Sequence, residues 1–236
     1  MDTPWHAFWT YVVFHRKNWW TKAVIASALP DAPFFISSAY FFARDGVNIK
    51  TWVLAYQHPW VKPIGFFSHS LVISALGLAV AFFLGKRYLY PYFYGWIFHI
   101  FTDLLTHVSD AQPVFWPLSD MKFPGPISYW EPNYHSRELG IANLVVSSVF
   151  AIYLVLTKSW RSPNHPTCQI VLFGFLFVYV LGGGILMWRF GWTSVETLTL
   201  HLISGGLFFF VAIMSIVSKS FYKCSKANTC VNLTRS

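Results

Sequence analysis

The chain has 236 residues, of which 55% are hydrophobic and only 11% charged; soluble domains carry about 25% charged residues, so an ordinary soluble composition is excluded. The net charge of +8 lies in short connections between long apolar runs, which excludes nucleic acid as its reason. Three cysteines, Cys168, Cys224 and Cys230, offer neither a disulfide framework nor a metal-binding spacing.

The first element is short. WHAFWTYVVF, residues 5–14, precedes a polar HRKNWW stretch and cannot span a bilayer. It either lies flat at an interface with His6 at the surface, or is half-inserted with His6 in the middle of a bundle. Its basic residues follow the apolar ones, and no small-residue cleavage site comes after, unlike a secretory signal.

Six apolar runs follow, at 23–43, 64–85, 92–107, 139–157, 168–188 and 197–217. Each is close to the length that crosses a bilayer. The expected fold is all-α: a polytopic transmembrane helical bundle of six crossings plus the N-terminal half-inserted helix, in a single domain 1–236. Assigning connections alternately to two sides puts eleven Lys and Arg on the side of Arg16, Lys86 and Lys158, and six on the side of Arg44, Lys122 and Arg189. The positive-inside rule makes the first side cytoplasmic, including the polar tail 219–236. Membrane lipids are the expected partners; the oligomeric state is not legible. On the cytoplasmic side the thiols stay reduced and the Asn232-Leu-Thr234 sequon is unused.

Two connections break the apolar rhythm. Residues 44–63 read as a short polar link containing His58. Residues 108–138 form the longest loop, rich in Pro and aromatics, and loops of that length are more often functional than idle. Its Trp116, Tyr129, Trp130 and Tyr134 suit a headgroup-level belt, and the loop reads as a cap over the noncytoplasmic mouth.

The chemistry concentrates in GWIFHIFTDLLTH, residues 95–107. His99, Asp103 and His107 recur every fourth residue, so in a helix successive members lie within roughly 40° of one another. An aspartate at the centre of a membrane helix costs on the order of 2.5–3.5 kcal/mol, so the stripe must face protein, water or a metal. Thr102 and Thr106 lie close enough to orient it through hydrogen bonds. Asp31 sits between Pro30 and Pro33 in SALPDAPFF, where the prolines remove backbone donors and bend the helix. His69 lies between Ser68 and Ser70 near the start of its run. Imidazoles with carboxylates make an N/O donor set that suits zinc, and less selectively manganese or iron. A divalent metal there would serve hydrolysis of an ester, phosphoester or amide. The competing reading is an internal hydrogen-bond network. His15, His58, His135, His165 and His201 stand outside the set.

The ordered motifs Pro4-x-His6, Leu29-Pro-Asp31, His69-Ser70, His99-xxx-Asp103-xx-Thr106-His107, WPLSDMKF at 116–123 and the nearby Trp130 resemble those of the membrane-bound, metal-dependent hydrolases of bacterial inner membranes. The resemblance covers roughly the first 130 residues. It implies a metal or catalytic site of His6, Asp31, His69, His99 and Asp103, a half-inserted N-terminus, and a recurring cap element holding Pro117 and Ser119. It also implies an inner-membrane location.

The function expected is an integral-membrane metal-dependent hydrolase acting on a lipid or lipid-linked ester or phosphoester. Asp103 would be central, and His107 would act as general acid or substrate contact. The alternatives are a transporter or proton relay, and a structural membrane protein with a buried polar network.

Overall fold

The computed structural model describes residues 3–129 and 131–157. These residues form eight α-helices joined by 3₁₀ turns, and no strand is found among them. Helix α1, Thr3–Phe14, is apolar on nearly every side, and a helix of that kind belongs in a core. Trp5, Phe8 and Tyr11 are buried, and so are His6 and Thr10 on another face. The flat interfacial placement therefore fails, because His6 has no exposed surface. Arg16, Lys17 and Asn18 make the exposed turn that ends this helix.

The chain then returns through α2, Trp20–Ala28, a 3₁₀ turn at Leu29–Asp31, and α3, Ala32–Asp45. Together Trp20–Asp45 is one 26-residue helical segment long and apolar enough to cross a membrane. Pro30 tightens this segment rather than breaking it. Gly46, at φ 81°, ends α3 in a left-handed conformation that a side chain would resist. The 44–63 link is mostly helical rather than a polar loop. Asn48 caps α4, Ile49–Gln57, by accepting from Thr51 N at 3.0 Å; α5, Val61–Ser68, follows at once.

The run 64–85 is broken at its polar pair. Helices α5 and α6, Leu71–Phe83, meet at 53° across His69 and Ser70. Ser70 has extended backbone and accepts from Ile73 N at 3.1 Å, an N-cap that starts a new helix there. Helix α7, Tyr90–Thr106, begins with Pro91 in its first turn. Its 17 residues rise about 26 Å, short of the roughly 30 Å of bilayer hydrocarbon. Helix α8, Ser136–Leu156, holds most of the run 139–157.

The expectation of six crossings therefore exceeds what the described residues support, which is one crossing, or two if α5 and α6 together count as one. The runs 168–188 and 197–217, Trp130, the three cysteines and the tail 219–236 lie outside the described residues.

Residues 107–129 fold back over the end of α7. Gly125 N donates to His107 O at 2.7 Å and Tyr129 N to Thr106 O at 2.9 Å, satisfying carbonyls that a helix end leaves open. Gly125 fits only without a side chain, since a Cβ would lie 2.7 Å from Leu104 O. Tyr129 is not in a surface belt: it is fully buried against the cluster of Trp5, Phe8, Tyr11 and Trp20. Helix α8 closes this core, with Trp9 Nε1 donating to Asn143 Oδ1 at 3.2 Å.

Candidate metal centre

The site is set by how closely α7 lies along α2. Gly95 makes this possible, since a Cβ there would lie 2.0 Å from Ala23 O. One turn on in both helices, His99 Nδ1 donates to Ser27 O at 2.7 Å. Ser27 O is available for a local reason. The residue three positions on is Pro30, which has no N–H, and the 3₁₀ turn at Leu29–Asp31 displaces the usual bond from four positions on.

The other imidazoles are held the same way. His69 Nδ1 donates to Gly65 O at 2.9 Å. His6 Nδ1 lies 2.8 Å from Thr102 Oγ1, whose own proton is directed to His99 O at 2.8 Å and Phe98 O at 3.1 Å, so the hydroxyl accepts from the ring. Each Nδ1 therefore carries a hydrogen, and each Nε2 of a neutral ring presents a lone pair. All three lone pairs point at carboxylates. His6 Nε2 is 3.0 Å from Asp103 Oδ1, and His99 Nε2 is 3.1 Å from Asp103 Oδ2. His69 Nε2 is 3.4 Å from Asp31 Oδ1 and 3.6 Å from Asp103 Oδ2, and His99 Nε2 is 3.7 Å from Asp31 Oδ1.

Lone pairs facing carboxylate oxygens repel unless a cation lies between them, either a proton on the ring or a metal ion. His99 Nε2 is fully buried and makes no hydrogen bond despite its proximity to Asp103. That orphaned nitrogen fits a shared cation better than a set of ring protons. Two overlapping triplets, His6–Asp31–His99 and His69–His99–Asp103, each bring their donor atoms within 4.8 Å of one another. The described residues thus form a buried His/Asp cluster able to hold a metal ion, and its N/O donors fit a borderline or hard divalent cation. Thr3 reaches Asp31 from α1, its hydroxyl donating to Oδ2.

His107 stands apart. It lies just past the end of α7 in extended backbone, so it leaves the helical stripe on which its spacing placed it. Its Nε2 is 3.1 Å from Asp103 Oδ1 and its Nδ1 is 2.7 Å from Asp110 Oδ2. Both ring nitrogens face carboxylates, the arrangement of a proton-carrying ring rather than of a ligand. Burial opposes ionisation of Asp110, but the hydrogen bond and charge of His107 outweigh it and hold the carboxyl below its usual range. Nearby, Tyr56 accepts from Gln112 Nε2 and donates to Asp110 O at 3.3 Å. Burial first, then the charges of Asp110, Asp103 and Asp31, raise its phenol well above the usual value.

A cavity of about 640 Å³ opens onto Asp31, His69, Asp103 and His107. The cap segment seals one side. Leu71 N donates to Val114 O at 2.8 Å, and the Ser70 hydroxyl donates to Trp116 O. The His69-Ser70 pair is thereby joined to the WPLSD element, in which Ser119 Oγ accepts from Met121 N at 3.1 Å and Pro117 is exposed.

The structure brings together His6, Asp31, His69, His99, Asp103 and His107. Thr102 holds His6, while Thr106 donates to Thr102 O at 2.9 Å and does not reach the cluster. His15 donates to Val12 O at 2.8 Å, and His135 is exposed beside Glu138, both away from the cluster. His165 and His201 lie outside the described residues. Sequence reasoning missed Thr3, Tyr56, Asp110 and the carbonyls of Ser27 and Gly65. Only Asp110 carried a signal, as an acid three residues after His107. No family model matches the chain, and no curated protein or solved structure matches it either.

Proposed function

We propose that the chain is an integral-membrane, metal-dependent hydrolase acting on a lipid or lipid-linked ester or phosphoester. The observation that carries the reading is the matched orientation of three imidazoles, each anchored through Nδ1 and turning Nε2 onto Asp31 or Asp103. The resemblance of these motifs to membrane-bound metal-dependent hydrolases supports it. The exposed apolar side chains of Ile36, Leu76, Phe83, Val149 and Leu156 suit a lipid surround.

His6, Asp31, His69, His99 and Asp103 would hold the ion, with zinc the best match to the donors and manganese or iron next. Bound there, a divalent cation would supply Lewis acidity and make water nucleophilic near neutral pH. The chain's own residues do the rest. His107 Nε2 is placed to give a proton to a leaving oxygen in the cavity, and Asp110 holds the opposite nitrogen so that the ring keeps its aim. Tyr56 adds a hydroxyl to the wall on the His107 side.

The test is metal content by mass spectrometry on detergent-purified protein, wild type beside Asp103→Asn. Near-stoichiometric metal in a folded wild type alone is expected, followed by ester hydrolysis that Asp103→Asn and His107→Ala both lack. Full metal occupancy in Asp103→Asn would sink the assignment.

One observation favours a second reading. His6, Asp103, His107 and Asp110 form a continuous line of contacts of 3.0, 3.1 and 2.7 Å, which suits a proton relay as well as a hydrolase. Proton flux in proteoliposomes that disappears with His107→Ala, in protein free of metal, would favour the relay.

A further inference from the structure

The cavity's chemistry is divided between its floor and its rim. Asp31, Asp103 and Asp110 lie at the floor, where their charge faces imidazoles. Among the described lining residues the only permanent cations are Lys62 and Lys122. Both are exposed, and neither has an ion-pair partner among the described residues. Aromatic side chains also line the cavity: Phe34 packs edge-on to Trp52 with ring centroids 4.7 Å apart, and Phe66 and Phe123 lie in the same lining.

An anion driven to the floor would meet three carboxylates. An uncharged amphiphile would leave the two ammonium groups without a counter-charge. From this division we infer that the cavity takes an anionic amphiphile, whose phosphate or carboxylate rests on Lys62 and Lys122 while its apolar part lies along Phe34, Trp52 and Phe66. The bond to be cut then reaches the floor beside His107 and Asp103. A cavity of about 640 Å³ is of the size that encloses a headgroup and the first part of one chain. The inference rests on this cavity being the substrate cavity of the proposed hydrolase.

The experiment measures equilibrium binding of radiolabelled dodecyl phosphate to purified full-length protein in nonionic detergent. Wild type is compared with Lys62→Gln, Lys122→Gln, the double variant, and Lys50→Gln, a lysine outside the cavity. Each lysine contributes a modest attraction, so the double variant is expected to bind roughly tenfold more weakly or worse. Raised salt should weaken wild type far more than the double variant, and Lys50→Gln should bind as wild type does. Dodecanol and inorganic phosphate serve as competitors, the first testing the charge and the second the apolar wall. Binding unchanged in the double variant would overturn the inference, as would dodecanol or inorganic phosphate competing as well as unlabelled dodecyl phosphate. Metal content read on the same samples separates the two failures. Metal-free wild type removes the hydrolase reading, whereas metal-loaded protein with lysine-independent binding removes this inference alone.

Discussion

Replacing Gly95 with Ala tests whether the packing of α7 on α2 sets the metal centre. The new Cβ would stand 2.0 Å from Ala23 O, 2.7 Å from its carbonyl carbon and 2.9 Å from its Cα. All three are backbone atoms, so no side chain can swing aside. Carbon and oxygen need a separation of at least 3 Å, so the helices must part by about 1 Å. One turn on, the His99 Nδ1 to Ser27 O distance is 2.7 Å; carried along two stiff helices, the same displacement takes it to about 3.7 Å, beyond hydrogen-bonding range. His99 then loses the contact that fixes its tautomer, a kind of loss that lowers metal affinity by about 10- to 100-fold. Overpacking costs a further 1–3 kcal/mol or so of stability. Chelator competition measures the affinity and thermal unfolding in detergent the stability. Gly77→Ala is the control, since a Cβ there meets only the Phe93 ring, a side chain that can shift. If Gly95→Ala bound metal as tightly as Gly77→Ala, the argument from helix separation would be wrong.

Thr102→Val removes the acceptor for His6 Nδ1 while keeping the side chain's shape. Metal affinity should fall by about 10- to 100-fold with little change in unfolding temperature, and Thr102→Ser should restore it. Ser70→Ala removes both the cap of α6 and the donor to Trp116 O. A loss of about 1–2 kcal/mol is expected, with faster proteolysis in residues 115–125 of the loosened cap. Asp110→Asn removes a charge-assisted bond worth about 1.5–3 kcal/mol at neutral pH. Because the folded carboxyl titrates below its unfolded value, its stabilisation is complete above the unfolded pKa and lost as pH falls through the folded one. Unfolding temperatures of wild type and Asp110→Asn should therefore differ at pH 7 and converge in acid; a constant gap would contradict the assignment.

What was legible in the sequence was what repeats or punctuates. The four-residue spacing of His99 and Asp103 put both on one helix face, and both are buried there. Pro30 announced a disturbance beside Asp31, although it tightens a continuous segment instead of bending it sharply. The apolar runs located helices, but among the described residues fewer of them qualify as crossings than length and composition alone suggested. In the 64–85 run Ser70 stood out only as the neighbour of His69. In the structure Ser70 caps a new helix and splits that run. Tyr129 shows the limit of reading aromatics as interfacial anchors. Its burial depends on the fold-back of residues 107–129, which no local pattern encodes.

The site was less legible than the fold because half of what orients it is main chain. Ser27 O and Gly65 O each fix a histidine, yet a carbonyl is present at every position and leaves no mark in a sequence. The alignment of the two helices can be read only afterwards. Gly95 meets Ala23, and His99 meets Ser27 four residues on in each. Continuing four more brings Asp103 and Asp31, which both face His69 Nε2. The three pairs keep one offset along parallel helices, so a glycine about two turns before Asp103 helps determine where both carboxylates stand. His107 would be the fourth step, but α7 has ended there and its backbone is extended. That departure sets its surroundings apart. Outside the helical register, it turns its Nδ1 to Asp110 and keeps Nε2 on Asp103, so the residue that completes the spacing in the sequence is the one held between two carboxylates.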